Sequence, residues 1–230
     1  MFNEKIEFNE KRFEFNDSFK NLSLSNKFEN RYIKPPKQKD IPYKKLKYKY
    51  AEDLVKDIDF QSLDRVFCIV SGNFIFSDFI EAFIVHNNIL VEEMIISTLS
   101  YSQDSIDSLE NLIEGNYLQK LDLIVSDFFF AHERNKLIKS TYEKLDVQNK
   151  FQLAVAGTHC KTYQFKTSGG KYIVIHGSVN MRSSSNIEQF VIEDNKELYD
   201  FNKEYQNKII GKYKTINKSI RQNELFNLIK

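Results

Sequence analysis

With 230 residues, the chain has room for one domain of ordinary size plus a tail. Its 41% hydrophobic content, with 20 Phe and 12 Tyr, supports a heavily aromatic core. A formal net charge of +1 excludes a global field that would capture nucleic acid or an acidic membrane, so any anion must be held locally.

Residues 1–50 stand apart in composition. All three prolines, Pro35, Pro36 and Pro42, lie there, and seven lysines stand against one acid, Asp40, between Lys34 and Lys49. Tyr43 and Tyr48 are interleaved with those lysines. Such a stretch suits a flexible arm that meets nucleic-acid backbone through lysine and stacks bases on tyrosine. It suits better a solvated connector or a strap packed on the domain surface, since runs of lysine are common on surfaces. The first residues, Met1 to Lys5, lack the basic-then-apolar pattern of a secretory signal. The longest apolar run, Phe74 to Leu90, is broken by Ser77, Asp78, Glu81 and His86 and is too short to span a bilayer. The expectation is a cytoplasmic protein with no membrane partner, in which Cys68 and Cys160 stay reduced.

From about residue 51 a strand–helix alternation begins. Val66–Val70 is wholly apolar and predicts a buried strand ended by Ser71-Gly72. An apolar helix follows over about 77–86, then a second strand over Met94–Leu99. Asp104 or Ser105 can cap a helix that places Ile106, Leu109, Leu112 and Ile113 on one face, and Gly115 ends it. Leu121–Val125 is a third strand, about 131–145 a helix, and Phe151–Val155 a fourth strand. Lys161–Phe165 and Tyr172–Ile175 flank Thr167-Ser168-Gly169-Gly170, a hairpin turn sequence, and Phe190–Glu193 is a last short strand. From Lys196, the residues Leu198, Phe201, Tyr205 and Ile209 mark an amphipathic helix to Gly211, with more helix toward Lys230. The fold class is therefore α/β: a mixed, largely parallel sheet with helices on both faces and a C-terminal helical extension from 196 to 230.

One stretch carries chemistry. Thr158-His159-Cys160-Lys161 closes the fourth strand, His176-Gly177-Ser178-Val179-Asn180 follows the hairpin, and Asn186-Ile187-Glu188 comes directly after. These supply an imidazole, a cation, neutral donors and a carboxylate. Attack on a phosphodiester needs a nucleophile, stabilisation of charge on the phosphoryl oxygens and a proton for the leaving oxygen. His159 can attack phosphorus, Lys161 can neutralise an oxygen, and Ser178, Asn180 and Asn186 can donate to the others. Glu188 can accept from the second nitrogen of His159 and fix its tautomer. No cofactor is required. Alternation along an extended strand would put Lys161 on the face of His159 and turn Cys160 into the core. His176 reads as packing or rim, and His86 and His132 as structural residues on helices.

In this order the motifs resemble the phospholipase D superfamily, whose signature is His-x-Lys, a downstream Asp, Gly-Ser-x-Asn and a later Glu. The likeness is greatest to small phage and prophage members with a single motif, through Ser178-Val179-Asn180-Met181-Arg182-Ser183 and Asn186-Ile187-Glu188-Gln189. It extends upstream through Ile95 to Ser100 and Leu123 to Asp127, covering roughly 50 to 195. It implies a phospholipase D-like domain over 51–195 and catalysis by His159, Lys161 and Glu188 through a phosphohistidine. One departure is plain: seven positions after His159, where the family has Asp, this chain has Lys166.

The family uses two His-x-Lys motifs, one histidine attacking and the other protonating the leaving group. This chain has one, so the resemblance implies a homodimer with one shared cleft. The expected activity is a metal-independent nuclease on DNA or RNA, since the basic arm favours a polyanion over a lipid. The alternative is a catalytically inactive nucleic-acid-binding or phage structural protein, favoured by Lys166. A phosphatidyl transferase ranks last.

Overall fold

A computed structural model describes residues 44–48, 50–71, 74–134, 136–182 and 186–214. The helical stretch expected toward Lys230, and the arm before Lys44, lie outside the described residues. Eight strands are seen: β1 (Lys44–Tyr48), β2 (Arg65–Ser71), β3 (Val91–Thr98), β4 (Leu121–Ser126), β5 (Phe151–Ala156), β6 (Thr162–Thr167), β7 (Tyr172–Gly177) and β8 (Ile187–Asp194). They form one sheet in the order β1-β2-β8-β7-β6-β3-β4-β5. Pairings β1–β2, β3–β4 and β4–β5 are parallel, while β2–β8, β8–β7, β7–β6 and β6–β3 are antiparallel. Only β6 and β8 therefore run against the rest. The sheet is mixed and largely parallel, as the alternation predicts.

The helices are α1 (Ala51–Lys56), α2 (Phe76–His86), α3 (Gln103–Glu114), α4 (Asp127–Glu133), α5 (Leu137–Leu145) and α6 (Lys196–Tyr213). One sheet face carries α2, whose Phe76, Phe79 and Phe83 are almost wholly buried. The Phe76 ring lies 4.5 Å from Tyr163, Phe79 lies 5.1 Å from Phe190, and Phe83 lies 6.5 Å from Phe165. These aromatic pairs, all in tilted geometries, are the core that composition foretold. The neighbouring helix α3 is capped reciprocally by Ser102 and Ser105, two residues earlier than a cap at Asp104 would place it, and ends at Gly115.

Helix α6 covers the opposite face, where Gln206 Nε2 donates to Ser97 Oγ at 2.9 Å and to Thr162 Oγ1 at 3.2 Å. Gln164 Nε2 donates to the Tyr199 carbonyl at 3.4 Å. The buried line of α6 is thus Tyr199, Asn202 and Gln206, while Leu198, Phe201, Tyr205 and Ile209 are only half-buried. The apolar face read from the sequence is displaced, because hydrogen bonds rather than apolar contacts dock this helix.

Two further expectations are corrected. The helix expected over 131–145 is two helices, since Ser126 Oγ accepts from Phe129 N at 3.1 Å and starts α4 four residues early. Lys136, at φ −121° and ψ −93°, then breaks the path before α5. Within the stretch set apart by composition, residues 44–48 form a strand that extends the sheet beside β2.

Candidate functional site

β5 and β7 end, and β6 and β8 begin, at one edge of the sheet. Ligands of open α/β sheets lie beyond the carboxyl ends of such strands. All six residues singled out in the sequence are near this edge. After Ala156, residues 157–161 leave β5 and travel past β4 and β3 to enter β6. His159 and Lys161 are therefore on a loop and not on an extended strand. Thr158 Oγ1 accepts from Cys160 N at 3.1 Å and tightens that loop. Cys160 is consequently exposed, correcting its expected place in the core, whereas Cys68 is buried and burial pushes its thiol up to about 12. Tyr205 on α6 lies near Cys160, and burial and that neighbour raise its phenol to about 12.

Lys161 ties the loop to the second motif. Its carbonyl accepts from Gly177 N at 3.4 Å, and its Nζ donates to the His159 carbonyl at 3.3 Å. Gly177 is required by close approach: a Cβ there would sit 2.2 Å from the Gln189 carbonyl oxygen and 2.6 Å from Phe190 Cα. With no side chain at 177, Ser178 reaches the start of β8. Ser178 N donates to the Gln189 carbonyl at 2.9 Å, and Gln189 N donates to Ser178 Oγ at 3.0 Å. The Ser178 hydroxyl in turn donates to the Glu188 carboxylate.

Beneath the turn, the buried Tyr163 hydroxyl donates to the Val179 carbonyl at 2.7 Å and lies 3.4 Å from Thr98 Oγ1. Burial, with a smaller push from the charge of Glu188, drives the Tyr163 phenol far upward, so it stays a donor. Tyr163 and Thr98 were not singled out in the sequence. The only signal was a tyrosine two residues after Lys161, at an inward position of a short strand.

His159, Ser178 and Asn186 are exposed, and Lys161, Asn180 and Glu188 are half-buried. Among the described residues the His159 ring makes no hydrogen bond, and Glu188 is engaged by Ser178 instead of His159. The Asn180 side-chain oxygen is shielded from solvent with no partner among the described residues. It borders a shallow surface depression, about 230 Å³ including its open mouth, which Arg182, Asn186 and Glu188 also line. His176 is elsewhere: its Nε2 lies 3.2 Å from Glu193 Oε1, beside Arg65, which fits a packing role.

Lys166 lies near the other end of β6, where its Nζ is 2.6 Å from Glu92 Oε2. Five residues of strand put it roughly 16 Å from Lys161. Among the described residues no cluster of three or more His, Cys, Asp or Glu suits a metal ion, and no helix is long and apolar enough to cross a membrane.

No family model matches the chain, and no curated protein matches it. Solved structures similar in fold include Nuc, a phospholipase D family member from Salmonella typhimurium, at 12% identity and TM-score 0.42 over 54% of this chain and 81% of that one. NucT from Helicobacter pylori is similar at 18% identity and TM-score 0.41, again over 54% and 81%. Phosphatidylserine synthase of Haemophilus influenzae is similar at 11% identity and TM-score 0.47, over 72% of this chain and 44% of that one.

Proposed function

We propose that this protein is a metal-independent phosphodiesterase acting on DNA or RNA through a phosphohistidine, in an active site shared by two copies. The observation that carries the proposal is the hydrogen-bonded path from His159-Cys160-Lys161 through Gly177 and Ser178 to Glu188, at one sheet edge. Lys161 and the donors of Ser178 and Asn180 suit the developing charge on phosphoryl oxygens. His159, exposed and unbonded among the described residues, is open to a phosphorus atom. Its attack forms the N–P bond as the P–O bond to the leaving oxygen breaks. Water then splits the N–P bond and returns the imidazole. The leaving oxygen needs a proton, and a single imidazole cannot stand in line with both entering and leaving oxygens. The His159 of a second copy supplies it, which makes the functional unit a homodimer.

Glu188 bonds Ser178 in the free chain. Binding of a phosphoryl group to Ser178 releases that carboxylate to accept from the second ring nitrogen of the neutral His159 imidazole and so orient it for attack. The alternative, a binding protein without turnover, draws on Lys166 in place of the family's Asp. The Lys166–Glu92 pair at the far end of β6 weakens that case, because the departure removes no group from the site edge. Purified protein incubated with plasmid and single-stranded DNA and with RNA in EDTA, beside His159→Ala, tests the proposal. Cleavage by the wild type alone is expected. Equal inertness of both proteins with retained gel shifts would favour the binding alternative.

A further inference from the structure

We infer that the cavity beside Glu188 is a subsite for the sugar–phosphate unit next to the diester under attack, with Arg182 as its anion anchor. This rests on the phosphodiesterase proposed above and narrows its substrate class to a polymer held by its backbone.

The cavity has two kinds of wall. Val70, Phe74 and Val179 give it an apolar floor, and Asn180, Arg182 and Glu188 stand around it. The charges are not balanced against each other. Glu188 accepts from Ser178, while the exposed Arg182 guanidinium has no carboxylate partner among the described residues. An unpaired guanidinium beside a site for one phosphate is a seat for another, because its planar donors match phosphate oxygens. The shielded Asn180 side-chain oxygen, without a donor among the described residues, faces the enclosed part, where a water can complete it while the anion is left to Arg182.

Size decides what the ligand is not. The enclosed part of the cavity holds about one water molecule, and the remainder is its open mouth. A nucleobase is therefore not engulfed. The sugar–phosphate unit instead lies across the open mouth, its phosphate on the exposed Arg182 and its base outside. Arg182 follows Asn180 by two residues, a Cα separation of no more than about 7 Å, which is the scale of one nucleotide step. Contacts of this kind position a strand without reading its sequence.

The test compares two substrates on the full-length protein: a short oligonucleotide, and bis(4-nitrophenyl) phosphate, a diester with no flanking phosphate. The quantity read is the ratio of kcat/KM for the oligonucleotide to kcat/KM for the small diester. Arg182→Ala is expected to lower that ratio about tenfold, the scale of one charge-assisted contact, with Arg182→Lys between it and wild type. The salt dependence of oligonucleotide binding should also become shallower by about one ion. An unchanged ratio, with losses equal on both substrates or absent on both, overturns the subsite. Should wild type cleave neither substrate, it is the proposed reaction that fails. The subsite is then judged by fluorescence anisotropy of a labelled oligonucleotide, where an unchanged Kd and salt slope for Arg182→Ala overturns it.

Discussion

His159 is exposed and makes no side-chain hydrogen bond among the described residues, so its removal leaves the fold almost undisturbed. His159→Ala should keep stability within about 0.5 kcal/mol while activity falls at least about a thousandfold, read by urea unfolding beside a cleavage assay. Gly177 behaves oppositely. A methyl at 177 collides with the Gln189 carbonyl and Phe190 Cα on β8, which are backbone atoms and cannot step aside. Gly177→Ala should cost about 2–3 kcal/mol, seen as a lower urea midpoint at constant slope. Lys166 lies on a half-exposed ion pair remote from the site edge, so Lys166→Ala should change stability by less than about 1 kcal/mol and leave cleavage within twofold, about the scatter of such assays. At this scale the motif residues were legible because their types and order carry chemistry. The partner of Glu188 was not, since the loop path of residues 157–161 decides whether a carboxylate meets imidazole or hydroxyl. Cys160 was misplaced for the same reason: strand alternation was applied to a loop.

Helix α6 shows why element faces are harder to read than element positions. Its span was legible from periodicity, and the structure adds the cap: Asn195 Oδ1 accepts from Leu198 N at 3.0 Å. Its buried face was not, because the polar Asn202 and Gln206 go inward, and the partners of Gln206, Ser97 and Thr162 on the sheet, lie far away in sequence. An ion cluster reinforces the docking: Lys203 and Lys120 both bond Glu93, and Tyr199 Oη donates to it at 3.1 Å. Burial raises the Glu93 carboxyl, but hydrogen bonds from Lys120 and Lys203 outweigh it and hold the group at about 2. Glu193 is likewise raised by burial and held at about 2 by His176, Arg65 and Asn195. Both carboxyls titrate below their usual value of 4.5. Their stabilisation is thus complete above that value and is lost as pH falls through it toward about 2. Acid unfolding followed by circular dichroism should steepen in that window, and Glu93→Gln should flatten it. Lys203→Met should cost about 1–2 kcal/mol at pH 7, since the pair is partly exposed. Strand β1 was missed because lysine at Lys44, Lys45 and Lys47 reads as solvated chain, while on a sheet edge it is a common guard against further pairing.

For the whole molecule, a near-neutral charge supplies no global field, so the proposed substrate depends on local contacts, for which the proposal names Lys161, Arg182 and the donors of Ser178 and Asn180. The sheet class was legible from the alternation of apolar runs, yet the reversal of β6 and β8 depended on a hairpin and on the distant pairings of β3 with β6 and of β2 with β8. The proposed in-line displacement with one His-x-Lys per chain calls for a second copy, so sedimentation equilibrium should return a dimer under assay conditions. The most direct test of the proposed chemistry is rapid acid-free quench of single-turnover cleavage of end-labelled oligonucleotide, run in EDTA and separated under alkaline denaturing conditions that preserve an N–P bond. Label covalently attached to wild-type protein, absent with His159→Ala, is the expected result. Cleavage that leaves no label on the protein at any time, or that stops in EDTA and returns with Mg²⁺, would contradict it.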